Sequence, residues 1–160
     1  MIRVAIADDS PFTCNLLASY IEEGGDCEVV GVAHDARSTV DLVKSAAPDV
    51  LTLDLQMPGG NGLDALEIMH RSTERPDLIL LDIEMPRMDG YELLSTLRTQ
   101  PAYADLPIVM LTSRGSDKHR DKATALGATD YMVKPFREDV LVETVSRLVQ
   151  GARQRERKAS

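Results

Sequence analysis

Residues 48–62 read PDVLTLDLQMPGGNG and residues 76–90 read PDLILLDIEMPRMDG. Each stretch opens on Pro-Asp, continues as a short apolar run bounded by turn residues, and reads as a buried strand. Each run delivers one aspartate to its carboxyl end, Asp54 in the first copy and Asp82 in the second, and both continue into Met-Pro. Only one aspartate can occupy the centre of a single acidic site. The partners of such a site occur once: an acidic pair, Asp8 and Asp9, near the start, then Thr112 and Lys134 much later. The function of the chain turns on which copy meets them.

Working outward, strand and helix signals alternate along all 160 residues. A short strand over 4–7 precedes Ser10 and Pro11, a helix cap and a first-turn proline, and Leu16, Leu17, Tyr20 and Ile21 form an inward stripe that Gly24 and Gly25 stop. A strand over 29–33 leads to a helix carrying Ala36, Val40, Val43 and Ala47, broken by Pro48. After the first copy a helix over about 63–70 leads to the second copy, and another helix carries Leu93, Leu94 and Leu97. A strand over 108–111 ends at Thr112, a helix over about 118–126 stops at Gly127, and a strand over 131–133 ends at Lys134 and Pro135. A last helix displays Leu141, Val145, Leu148 and Val149 and is expected to end near Gly151. This alternation predicts a doubly wound parallel α/β sheet with helices on both faces.

Composition narrows the function classes. With 43% apolar residues the chain can bury one good core, so a single domain over 1–151 is expected, followed by a basic flexible tail over 152–160. A net charge of −8 opposes a nucleic-acid surface, which needs clustered Lys and Arg. Cys14 and Cys27 have neither C-x-x-C spacing nor a disulfide framework, which fits a reducing cytoplasm. No apolar stretch has the length of a membrane span or the form of a signal peptide. His34, His70 and His119 lack metal-ligand spacing and are expected at exposed helix ends, while Met57, Met85 and Met110 are expected in packing.

In parallel sheets of this kind ligands bind beyond the carboxyl ends of the strands, where strand order reverses. Asp8, Asp9, Asp54, Asp82, Thr112 and Lys134 all fall at those ends. Clustered carboxylates repel one another unless a hard cation neutralises them, and a small oxygen-lined site suits Mg²⁺. The cation and the Lys134 ammonium would neutralise a phosphoryl group on a central aspartate, while the Thr112 hydroxyl bonds one of its oxygens. The chemistry is phosphoryl transfer to an aspartate nucleophile.

The ordered set IADDS at 6–10, LDLQMP at 53–58, LDIEMPRMDG at 81–90, VMLTSR at 109–114 and YMVKPF at 131–136 resembles the receiver domain of two-component response regulators. The first part is similar to receivers of chemotaxis methylesterases, and the part after about residue 76 to receivers of chemotaxis-type hybrid kinases. The resemblance implies a flavodoxin-like five-stranded fold and a Mg²⁺ ion held mainly by Asp9 and the acceptor, with Asp8 and Glu84 in the same metal set. It also implies autocatalysed phosphoryl transfer from the phosphohistidine of a sensor histidine kinase or phosphotransfer domain, followed by autodephosphorylation rather than enzymatic turnover. Thr112 and Tyr131 match the family's switch pair and Lys134 its phosphate-binding lysine. Output is expected through a downstream protein target, since a helix ending near Gly151 leaves no room for a further module.

The departure from the family is an extra helix-strand unit, residues 35–58 and 61–86 standing where a receiver has one, with a seam near 59–61. The expectation is a recombination of two receivers, six strands in all. If both duplicate strands lay side by side, either aspartate would be about one strand spacing, roughly 4.8 Å, too far from half its partners, which would cripple the site. If the Asp54 strand moved to the free edge, the order would be 3-2-1-4-5-6 and Asp82 would meet the whole site. Asp82 is therefore favoured as acceptor and Asp54 placed second. Other readings are a receiver chimera that folds but cannot be phosphorylated, a strand-swapped dimer in place of a monomer, and a dinucleotide site from Gly60, Gly62 and Ala65 in G-x-G-x-x-A spacing. A haloacid-type phosphatase is disfavoured, because neither Asp54 nor Asp82 is followed two residues later by a second aspartate.

Overall fold

The computed structural model describes residues 1–54, 56–57, 60–61, 76–82, 90–112, 117–134 and 137–159. Among them, six parallel strands form one sheet: β1 (Ile2–Ala7), β2 (Cys27–Ala33), β3 (Val50–Asp54), β6 (Leu78–Asp82), β7 (Ile108–Thr112) and β8 (Asp130–Val133). A separate antiparallel pair, β4 (Gln56–Met57) and β5 (Gly60–Asn61), follows β3. The helices are α1 (Pro11–Glu23), α2 (Ala36–Ala46), α3 (Gly90–Thr99), α4 (Asp117–Ala125) and α5 (Glu138–Ala159). No described helix is long and apolar enough to cross a membrane.

The sheet runs β2-β1-β3-β6-β7-β8. This corrects the expected 3-2-1-4-5-6 order: the Asp54 strand is not at the free edge but between β1 and the Asp82 strand. Burial explains why. The first four residues of β3 and of β6 are all buried, on both faces of the sheet, as apolar runs in central parallel strands must be. An edge position beyond β2 would expose half of β3, whereas β2 is only partly buried and tolerates the edge. Neighbouring placement also follows the tendency of sequential strands to pair.

Strand residues alternate between two apolar layers. Ala5, Ala7, Leu51, Leu53, Ile79, Leu81 and Met110 face α2, α3 and α4, while Val4, Ile6, Val50, Leu78, Leu80 and Val109 face α1 and α5. The α1 stripe is shifted from the expected one: Cys14 and Ile21 are buried and Leu16 is exposed, because the inward face follows the spacing of 14, 17 and 21. Ser10 caps α1 through its Oγ, 3.3 Å from the Thr13 amide, with Pro11 in the first turn as expected. Ala47 does not join the α2 stripe but terminates that helix in the left-handed region at φ 46°.

Two arginines lock the frame. Arg98, on α3, donates to the carbonyls of Gly127, Tyr103 and Leu106 at 2.9, 2.7 and 2.7 Å, tying the loops that lead into β7 and β8. Arg153, on α5, lies 2.8 Å from Asp49 and 3.7 Å from Asp77, the residues that precede β3 and β6. One side chain thus holds the starts of both copies. The last helix does not end near Gly151 but continues to Ala159: Ala152 is buried, and the Arg, Gln and Lys residues that follow are good helix formers.

These roles predict unequal costs in denaturant unfolding. Arg98→Ala leaves several sheltered carbonyls unpaired and should lose about 2–4 kcal/mol. Arg153→Ala removes a pair open to solvent and should lose about 1 kcal/mol or less.

Candidate functional site

The strand tips bring the expected residues to one end of the sheet. Asp8 follows β1, held by its amide to the Ala33 carbonyl at 3.0 Å, and its carboxylate accepts the Ser10 amide at 2.9 Å. The cap that starts α1 therefore also orients the first acid. Asp8 is 6% exposed and Asp9 is exposed. Asp54 closes β3, and its carboxylate oxygen lies within 4.8 Å of ligand oxygens from both Asp8 and Asp9.

Asp82 closes β6 directly opposite Asp54 in the parallel register. It belongs to the other half of the site: Lys134 Nζ donates to Asp82 Oδ2 at 2.7 Å. The base of that lysine is fixed, since its amide donates to the Thr112 carbonyl at 2.7 Å. Thr112 is buried at the tip of β7, and Tyr131, buried in β8, carries the Arg120 guanidinium 5.7 Å from its ring centroid. The partners are thus divided, Asp54 beside the acidic pair and Asp82 on the lysine.

Charge crowding is felt most at Asp8. Burial pushes its carboxyl above the ordinary carboxylate range, and the charges of Asp82 and Asp9 push the same way, against the Ser10 amide and a hydrogen bond with Asp54. A carboxyl that burial and two neighbouring charges drive toward protonation is one that a cation would relieve. Three convergent carboxylate oxygens fit a hard divalent ion such as Mg²⁺. Cys14, whose thiol lies 3.5 Å from the Asp8 carbonyl, is pushed up to about 11 by burial first and then by Asp8, which disfavours the reactive thiolate.

His34 is exposed just before α2, as expected, and its Nδ1 lies 2.8 Å from the Asp8 carbonyl, a contact the sequence did not reveal. His119 is half-buried and stacked against Tyr91 at 6.5 Å, where an exposed ring was expected. Glu84, His70 and Met85 lie outside the described residues, as do the helix expected over 63–70 and two members of the G-x-G-x-x-A pattern, Gly62 and Ala65. Gly60, its first member, lies in the β4-β5 hairpin.

Comparison with known proteins follows the same division. The response regulator receiver domain family matches the chain twice, over residues 4–74 and 70–146. A protein-glutamate methylesterase/protein-glutamine glutaminase of Dechloromonas aromatica is 37% identical over 136 residues, 83% of this chain and 30% of its own length. One of Cupriavidus metallidurans is 34% identical over 94% of this chain and 36% of its length. The chain therefore spans about a third of these relatives. Among solved structures, the chemotaxis protein CheY4 of Vibrio cholerae is 27% identical with a TM-score of 0.57, covering 92% of this chain and 98% of that one. The receiver domain of a signal transduction histidine kinase from Syntrophus aciditrophicus is 26% identical with a TM-score of 0.56, covering 94% and 92%. With an aspartate cluster at the strand tips and a family match across both halves, the chain belongs to the response regulator receiver domain family and is a phosphoacceptor receiver.

Proposed function

We propose that Asp54 is the phosphoacceptor, with Asp8 and Asp9 holding Mg²⁺ beside it. The observation that carries this reading is the convergence of Asp8, Asp9 and Asp54 oxygens within 4.8 Å. The preference for Asp82 rested on an edge position for the Asp54 strand, and with β3 between β1 and β6 that ground is gone. Asp82 keeps one argument in its favour, its ion pair with Lys134.

In the transfer, an Asp54 carboxylate oxygen bonds to phosphorus while the P–N bond of a donor phosphohistidine breaks and the imidazole leaves, taking up a proton from solvent. Asp8, Asp9 and Asp54 would hold a Mg²⁺ ion, which when bound would neutralise charge on the phosphoryl oxygens. Asp8 and Asp9 orient that cluster, Lys134 offers an ammonium, and Thr112 a hydroxyl. Thr112 and Tyr131 are the switch pair, on the adjacent paired strands β7 and β8, two and three strands from Asp54. Phosphate must bind one conformation better than the other to shift the equilibrium between them. The partners are a histidine kinase or phosphotransfer domain and a protein target, in the cytoplasm, and the cycle is acceptance and self-dephosphorylation rather than turnover. The doubled unit is the joint of two receivers, a reading supported by two family matches that overlap only at 70–74.

The direct test is labelling with a small acyl phosphate and Mg²⁺. Asp54→Asn should abolish incorporation and Asp82→Asn should retain it; loss confined to the Asp82 variant would overturn the assignment, and no incorporation into the wild-type chain would favour the inert-chimera reading. A second expectation concerns pH. The folded-state carboxyl of Asp8 is raised, so its ionisation opposes folding: that contribution is absent where Asp8 is protonated in both states and grows as pH rises through its titration. Without Mg²⁺, Asp8→Asn should therefore raise the melting temperature at neutral pH by roughly 2–4 °C, about 1 kcal/mol, and the gain should fade under acid. Mg²⁺ should raise the melting temperature of the wild-type chain and do so much less in Asp54→Asn.

A further inference from the structure

The duplication leaves one carboxylate more than the transfer requires, and its position gives it a consequence. Asp54 and Asp82 are register partners on adjacent parallel strands, and the order β3-β6-β7-β8 puts Lys134 two strands from Asp82 but three from Asp54. At about 4.8 Å per strand, the lysine's strand is roughly 14 Å from the Asp54 strand. The four-carbon arm must cross β7 and β6 to serve a phosphoryl on Asp54, and Asp82 stands in that path with an oxygen 2.7 Å from Nζ. The pair is sheltered, with side chains 28% and 18% exposed, so its charge-assisted hydrogen bond is only partly screened by water. The amide bond from Lys134 to the Thr112 carbonyl keeps the root of the arm in place, so the ammonium can trade partners without the strand moving.

We propose that Asp82 is a resident competitor for Lys134: the second carboxylate holds the ammonium that a phosphoryl group on Asp54 needs and so limits phosphoryl acceptance. This rests on the reading of Asp54 as acceptor. During acceptance Lys134 exchanges one anion for another, Asp82 for the phosphoryl oxygens. Asp82 is left beside the new negative charge with its own pairing weakened, which opposes the product as well. Asp82 is thus a rate-setting residue of the site that takes no part in bond making.

The test is the initial rate of phosphoryl incorporation from a small acyl phosphate with Mg²⁺. In that reaction the Oδ–P bond to Asp54 forms as the donor P–O bond breaks and its acyl group leaves as a carboxylate. Wild type, Asp82→Asn, Lys134→Ala, the double variant and Asp54→Asn are compared, with circular dichroism checking the fold and Asp82→Ser standing in if the asparagine variant does not fold. Asp82→Asn should label about tenfold faster than wild type, the scale of one charge-assisted hydrogen bond, and the gain should vanish in the Lys134→Ala background. A rate at or below wild type for Asp82→Asn, with Asp54→Asn unlabelled, would reject the competitor while leaving Asp54 the acceptor. A gain that persists without Lys134 would also reject it. Label surviving in Asp54→Asn and lost in Asp82→Asn would reject the acceptor assignment itself.

Discussion

The in-register pairing of β3 with β6 is the constraint on which the rest depends. It sets Val50 against Leu78, Leu51 against Ile79, Leu53 against Leu81, and so, at the end of the ladder, Asp54 against Asp82. Nearly all the apolar residues of both strands are removed from water, and each fully buried Leu, Ile or Val contributes about 1.5–3 kcal/mol. No electrostatic preference at the tips can outweigh that. The core decides where the duplicate strands lie, and the acidic end accepts the arrangement, with two aspartates where the transfer chemistry uses one.

The outcome is a site spread over one extra strand. At one side the carboxylates of Asp8, Asp9 and Asp54 converge, and burial, with the charges of Asp82 and Asp9, makes Asp8 resist ionisation; at the other Asp82 is paired with Lys134. The two halves have opposite needs, a cation at the first and an anion exchange at the second. Arg153 makes the same statement at the far end of the strands, where a single guanidinium reaches the aspartate ahead of each copy. A long last helix anchored on both repeats suits a fold in which both repeats are inside.

Much of this was legible in the sequence, for identifiable reasons. Ser10-Pro11 named the start of α1, the apolar runs named the buried strands, and Leu141, Val145, Leu148 and Val149 named the inward face of α5, because local capping and periodicity decide such features. The placement of Asp8, Asp54, Asp82, Thr112 and Lys134 at the strand tips was legible too, since each ends or follows an apolar run. The strand order was not. Completeness of the site argued for moving β3 to the edge, but Val50 to Leu53 are buried on both faces, Thr52 included, and burial won. The Leu16 error was one of phase, in a helix with more apolar residues than its inward face can hold. The helical end of α5 was missed because a basic, polar stretch looks like a frayed terminus until Asp49 and Asp77 are seen to receive Arg153.

The central claim is that both copies lie within the sheet, with Asp54 on the acid pair and Asp82 on the lysine. A crystal structure with Mg²⁺ and beryllofluoride tests it most directly. The account predicts the strand order found here, with the beryllium on Asp54 and the metal among Asp8, Asp9 and Asp54. A sheet with residues 50–54 at the edge beside residues 27–33, and beryllofluoride on Asp82 between Asp9 and Thr112, would contradict it.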